Sequence, residues 1–263
     1  MYVGKKNPGR YYINDNNDVY TDKLAELACA CNDATGGKVM ARLEQLFESI
    51  YIDEVQDLAG YDLEFLELLL KSKVSVTVVG DLRQATYSTN NPKKNTQFIG
   101  AKIIGKFEVW KQAGLLEIDS LNHSHRCNQK ICDLGDSLYP HLPKTTSKQT
   151  QVTGHDGIFA VSTKEVLSYY HQYNPKVLRT DKRTNTLELP ATNFGYSKGL
   201  SFDRILIFPT GRMKKWLSSG DYSHVCDSDI ALARLYVAIT RAKFSVAFVY
   251  DGKKLDLPGI ERL

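Results

Sequence analysis

Ile50, Tyr51 and Ile52 run without a break into two adjacent acids, Asp53 and Glu54, followed by Val55-Gln56-Asp57. A strand buried in a parallel sheet reads as such an apolar run, and ligands gather at the carboxyl ends of these strands. Paired carboxylates there suit Mg²⁺ and a water aimed at a phosphate. They equally suit a strand end whose acids are simply solvated, so the rest of the chain has to decide. Val74–Val79 is β-branched and ends at Gly80-Asp81, a second strand running into a loop. A helix over about 60–72, with Leu63, Leu66, Leu69 and Leu70 on its buried side, lies between the two. Strand and helix in alternation predict an α/β fold of parallel sheets covered by helices.

The same alternation continues on both sides. Helices are expected over 22–31, around Val39, Leu43, Leu46 and Phe47, and in an amphipathic stretch ending near Gln112. In the second half, strands are expected at Leu115–Leu121, Ile158–Ser162, Val177–Arg179, Ile205–Phe208 and Val246–Tyr250, with helices over 128–139, 164–173 and 228–240. Residues 1–21, 88–97 and 140–156 are polar and turn-rich and read as loops. At 263 residues the chain is long enough for two domains, at roughly 100–200 residues each. The division is expected between Lys111 and Asp119, giving domains 1–114 and 115–263.

A net charge of +4 permits nucleic-acid binding without requiring it. No run of about 18 apolar residues signals a membrane span, and the amino terminus lacks the apolar core of a signal peptide. Five cysteines without an export signal suggest reduced thiols and a cytoplasmic protein. His123, His125 and Cys127 would share one face of an extended segment, but no fourth ligand is suggested nearby, which argues against a metal.

Four further groups carry chemistry. Gly80-Asp81-Leu82-Arg83-Gln84-Ala85-Thr86-Tyr87 is either a turn with a buried tyrosine or a loop whose Gln84 amide, placed beside Glu54, bonds an attacking water or a terminal phosphate. Leu121–Cys127 contains Arg126, a surface arginine at a helix start or a contact for an anion. Positive charge is not favoured at that helix end, which mildly supports the anion. In Phe194–Asp203, glycines flank Ser197-Lys198, so that Lys198 and Gly199 suit close approach to a phosphate; a basic loop before a strand is the alternative. Leu235–Lys243 closes a helix with Arg241, where a basic side chain suits the helix dipole or serves as an arginine finger.

Taken together, these groups resemble the UvrD/Rep-like helicases of superfamily 1. Asp53–Asp57 looks like motif II, Gly80–Tyr87 like motif III, Leu121–Cys127 like motif IV, Ser197–Asp203 like motif V and Tyr236–Lys243 like motif VI, in order over residues 50–250. The resemblance implies two RecA-like parallel-sheet domains, the first incomplete, with ATP held between them. Asp53 would hold Mg²⁺ together with Glu54, the general base; Gln84 would sense the terminal phosphate; Arg126 and Arg241 would reach it from the second domain. Lys198 and Gly199 would join them at the nucleotide. ATP hydrolysis would drive movement on single-stranded or partly duplex DNA. Candidate nucleic-acid contacts are Tyr87, Lys93, Lys94, Asn193, Phe194 and the run Arg212–Trp216 with Lys214 and Lys215, which also reads as a solvated helix end.

The sequence departs from the family in specific places. No Gly-x-x-Gly-x-Gly-Lys-Thr loop precedes Asp53; Thr35-Gly36-Gly37-Lys38 is too short and too near. Thr89 replaces a base-stacking aromatic, Gly195 and Ser201 replace the His and Glu of motif V, and its upstream threonine is shifted to Thr192. Only about 65 residues separate motifs IV and V, so the large accessory insertion of the longer relatives is missing. The chain is therefore expected to be a truncated or split helicase, weak or inactive alone, its phosphate-binding loop supplied by another segment or protein chain. The alternative is a non-hydrolysing nucleic-acid-binding or regulatory subunit completed by a partner chain.

Overall fold

A computed structural model describes residues 8–90 and 93–263, leaving parts of the expected loops 1–21 and 88–97 outside the described residues. The chain divides into two compact units, Met1–Asp119 and Ser120–Leu263.

The first unit contains α1 (Pro8–Tyr12), α2 (Leu24–Ala34), α3 (Lys38–Leu46), β1 (Ser49–Ile52), α4 (Tyr61–Leu70), β2 (Ser75–Val78) and α5 (Ile104–Gln112). Strands β1 and β2 pair in parallel, Ser49 opposite Ser75 and Ile52 opposite Val78. Side chains alternate across a strand, so Ile52, Val76 and Val78 pack onto a core of Val55, Leu63, Leu66, Ile103, Phe107 and Trp110. Ser49, Tyr51, Ser75 and Thr77 are exposed.

The expected strand Leu115–Leu121 does not form. Leu115, Leu116 and Ile118 instead pack against the first unit's core, and the Leu115 amide donates to the Trp110 carbonyl at 2.9 Å. Its apolar residues anchor a connector that follows α5.

The second unit contains β3 (His123–Ser124), α6 (Gln129–Ser137), β4 (Thr146–Ser147), β5 (Gly157–Val161), α7 (Val166–Tyr173), β6 (Lys176–Arg179), β7 (Ala191–Asn193), β8 (Phe202–Phe208), α8 (Gly211–Ser219), α9 (Asp229–Thr240), β9 (Ala242–Val249) and β10 (Ile260–Arg262). Six strands make one sheet in the order β10-β5-β9-β8-β6-β7, every pair parallel. Alternate residues feed two cores. Ile158, Ile205, Ile207, Val246 and Phe248 meet Ile131, Trp216 and Leu235 from α6, α8 and α9 on one face. Phe159, Val177, Leu206 and Val249 meet Val166 and Tyr169 of α7 on the other. Burial on both faces explains why β5 and β9 read as continuous apolar runs.

Helix starts are set locally. The side chains of Asn128, Thr210 and Ser228 accept from the amides of Ile131, Met213 and Ala231. The fold class is thus α/β with two parallel-sheet units, the first the smaller. Among the described residues no helix is long and apolar enough to cross a membrane.

Candidate functional site

Asp53 and Glu54 stand directly beyond the carboxyl end of β1, where the ladder continues briefly as the Val79 amide donates to the Ile52 carbonyl at 2.8 Å. Glu54 adopts φ 55° and ψ 38°, a left-handed conformation unusual for a residue with a side chain. Such strain persists only where surrounding contacts over-determine it. Here the Glu54 amide donates to Asp53 Oδ1 at 2.7 Å, the Asp57 amide donates to the Glu54 carbonyl at 2.9 Å, and Gln56 Nε2 donates to Glu54 Oε2.

Gln56 is fully buried, and its Oε1 accepts from the Asp81 amide at 3.2 Å. A single amide therefore links Glu54 to the loop after β2. In that loop Asp81 Oδ1 accepts from Arg83 N at 3.0 Å and Arg83 Nε at 2.9 Å, and Asp81 Oδ2 accepts from Gln84 Nε2 at 3.3 Å. Gln56 was not assigned a role from sequence. Its place two residues after Glu54 is a signal, but the role needs the neighbouring loop. Tyr87, read there as a buried tyrosine or a base contact, is 66% exposed. Lys94 pairs with Glu64 at 2.7 Å, and Lys93 is exposed.

The second unit gathers a different set. Strands β3 and β4 pair in parallel, Ser124 opposite Ser147, which sets His125-Arg126 beside Lys148-Gln149. Arg126 Nη1 donates to the Thr240 carbonyl at 3.3 Å, so Arg126 lies against the end of α9, next to Arg241. Arg241 itself is 2% exposed, and a contact with phosphate would require it to be uncovered. Between them sits the buried Cys127, whose thiol is held below its usual range by a hydrogen bond with Cys132, aided by Ser124 and by the charge of Arg126 and Arg241. A cavity of about 520 Å³ opens here, lined by Arg126, Lys148, Gln149, Ser201, Lys243 and Phe244 among others.

Lys198 and Gly199 follow a 3-10 turn over Phe194–Ser197, with Gly199 at φ 78°, in a loop that leads to Ser201. Asn193 Oδ1 accepts from Arg179 Nε at 3.3 Å. Phe194 requires correction as a base-stacking candidate. It is 1% exposed and belongs to the core, so its ring is spent on packing; Tyr196, two residues on, is the exposed aromatic at 78%. On α8, Lys214 and Lys215 are exposed while Trp216 is buried in the core, so the 212–216 run divides by helical face.

Asp53 and Glu54 offer adjacent carboxylates. Mg²⁺ takes one or two carboxylates plus waters and phosphate oxygens, so this donor set fits it without a third protein ligand.

Residues 11–96 match the family model of the UvrD/REP helicase N-terminal domain. This segment is UvrD-like. It carries the Asp53–Glu54 corner and the loop that Gln56 grips. Among solved structures, the chain is similar to the PRRSV helicase, at 19% identity and a TM-score of 0.45, over 80% of this chain and 37% of that one. It is also similar to Arterivirus nonstructural protein 10 (helicase) in complex with DNA, at 18% identity and a TM-score of 0.46, over 77% of this chain and 39% of that one. The chain thus spans less than two-fifths of the length of either protein. No match to the sequence is found among curated proteins.

Proposed function

We propose that this chain is part of an ATP-dependent superfamily 1 helicase or translocase acting on single-stranded or partly duplex DNA. The observation that carries the reading is the Asp53–Glu54 corner, which lies within the UvrD-like segment and is held in a strained backbone by Gln56. Asp53 and Glu54 would hold Mg²⁺, which when bound neutralises charge on the β- and γ-phosphates of ATP. Glu54 would accept the proton of the attacking water, its carboxylate oriented by Gln56. Gln84, on the loop that Gln56 also grips, would report the terminal phosphate. Arg126, Lys198, Gly199 and Arg241 would serve the phosphates from the second unit; an arginine finger is worth about 10³–10⁵ in rate. Tyr87, Asn193, Lys214 and Lys215 are the strand contacts proposed.

The 263 residues contain no Gly-x-x-Gly-x-Gly-Lys-Thr loop, so the phosphate cradle is expected from a segment or partner chain outside them. ATP turnover should be weak or absent for these residues alone. With the loop supplied, it should be stimulated by single strands and fall by about 10²–10⁴ in Glu54→Gln. Strand-stimulated turnover by the 263 residues alone, abolished by Glu54→Gln, would show that no outside loop is needed. No turnover with the loop supplied would sink the motor.

The second reading, a non-hydrolysing nucleic-acid-binding or regulatory subunit, is favoured by the burial of Arg241. It predicts strand binding with unchanged affinity in Glu54→Gln. In either reading, Lys214→Glu with Lys215→Glu should weaken single-strand binding and flatten its salt dependence. Unchanged affinity and salt slope would remove α8 from the interface.

A further inference from the structure

The segment after Tyr87 is fastened to the first turn of α4 by groups that none of the proposed steps uses. Asp62 Oδ2 accepts from the Asn90 side-chain amide and the Ala59 backbone amide, both at 3.1 Å, and from the Thr89 hydroxyl. Asn90 Nδ2 also donates to the Ala59 carbonyl at 2.9 Å. Glu64 holds the far side of the same loop, accepting from Lys94 Nζ at 2.7 Å and from Asn95 Nδ2 at 2.9 Å. Asn95 Nδ2 donates to the Gly60 carbonyl as well, at 3.0 Å. Acids in a first turn suit the helix dipole, but the dipole alone requires no contact with residues 27 and 28 positions further along the chain.

Thr89 stands where the UvrD/Rep-like resemblance expects a base-stacking aromatic. Its hydroxyl is turned onto Asp62, and the exposed ring beside the fastened segment is Tyr87, 66% exposed. The Thr89 amide donates to the Asp57 carbonyl and the Asp57 amide to the Glu54 carbonyl, both at 2.9 Å, which sets the segment on the turn after Glu54. A loop already fixed at Thr89 and Asn90 leaves Tyr87 less freedom to lose when a base stacks on it.

We infer that Asp62 is a positioning residue for strand binding, holding Thr89 and Asn90 so that Tyr87 is presented as a base platform. The inference rests on the reading of Tyr87 as a strand contact. Asp62 acts through Thr89 and Tyr87, and its charge and its position have opposite effects. A carboxylate repels a polyanion, so by electrostatics alone its removal would tighten binding. Loss of the fastening frees Tyr87 and weakens binding instead.

The test is a fluorescence-anisotropy titration of a labelled oligo-deoxythymidylate with the full 263-residue chain, with thermal melting of each variant alongside. Tyr87→Ala should weaken binding by about fivefold or more. Asp62→Ala should weaken it by about twofold to tenfold. Thr89→Val removes the hydroxyl from the loop side at nearly constant volume. It should weaken binding by about twofold or more, and it covers the case in which the Asp62 variant does not fold. In a Tyr87→Ala background either substitution should change affinity by less than about twofold, because the platform it positions is gone. A purely structural role would lower the melting temperature and leave the affinity of the folded chain alone. Unchanged or tighter binding in Thr89→Val and in folded Asp62→Ala, with Tyr87→Ala still weakened, overturns the role of Asp62 and leaves Tyr87 as a strand contact. Losses of full size in the Tyr87→Ala background overturn action through Tyr87. No binding by the parent chain, or unchanged binding in Tyr87→Ala, overturns the strand reading of Tyr87 and the role of Asp62 with it.

Discussion

A methyl group on Gly80 would sit 2.3 Å from Gln56 Oε1 and 2.9 Å from Val55 Cγ1. Neither neighbour can yield easily: Val55 is buried, and Gln56 is held between Glu54 and the Asp81 amide. Gly80→Ala is therefore expected to destabilise the first unit by about 1–3 kcal/mol, read as a lowered urea midpoint. With the phosphate loop supplied, it should also lower ATP turnover by disturbing the grip on Glu54. An unchanged midpoint would mean that the loop after β2 shifts freely, and Gln56 would then not couple it to Glu54. A glycine at a strand end is easily read as a turn. Its need for space becomes visible only once Gln56 is known to pass beneath it.

At the scale of elements, charged groups tie two helices together in one unit, and an aromatic stack ties a helix to a strand in the other. Glu67 on α4 accepts from Lys106 Nζ at 2.8 Å and Trp110 Nε1 at 2.9 Å on α5, and from Lys71 Nζ at 2.6 Å. Those bonds, Lys106 first, pull its carboxyl down to about 2. The charged form is the one bound in the folded state. Its contribution is present above the unfolded value near 4.5 and is lost as pH falls from there through about 2. Denaturant midpoints measured across that window should fall, and Glu67→Gln should flatten the slope while lowering the plateau.

In the second unit His155 stacks between Phe159 at 4.2 Å and Tyr173 at 3.7 Å, and its Nε2 bonds the Tyr169 hydroxyl at 2.9 Å. Burial, reinforced by Arg204, lowers its pKa. The neutral ring is favoured in the fold, so stability holds above the unfolded value near 6.5 and declines as pH falls below it. His155→Gln should remove that decline from the acid limb of the second unit's stability profile. A limb of the same slope would assign the titration to another group.

For the molecule as a whole, the two units call for separate treatment, because a chain with two cores need not unfold in one step. The second unit owns a six-stranded sheet covered on both faces. Residues 120–263 expressed alone are expected to fold, with dispersed amide resonances and one cooperative thermal transition. A collapsed spectrum would show that this core depends on residues before Ser120.

Much of the architecture was readable from neighbours in the chain. Strands buried in a parallel sheet are apolar along most of their length, so β5, β6, β8 and β9 announced themselves. Strands β1 and β2, exposed at alternate positions, were signalled instead by their β-branched and aromatic residues, and the acids after β1 stood out beside them. The strand expected at Leu115–Leu121 failed because an apolar run reports burial and says nothing of the partner it is buried against. Short edge strands such as β7 and β10 carry little local pattern at all. Side-chain placement depends on which segments the crossovers bring together. Phe194 turned inward and Tyr196 outward, Arg241 was covered, Gln56 came to bridge two loops, and the β3–β4 pairing set Gln149 beside Arg126. Local periodicity constrains each residue against its own helix or strand. Convergence of residues far apart in sequence is a property of the closed fold, and only the tertiary structure could decide it.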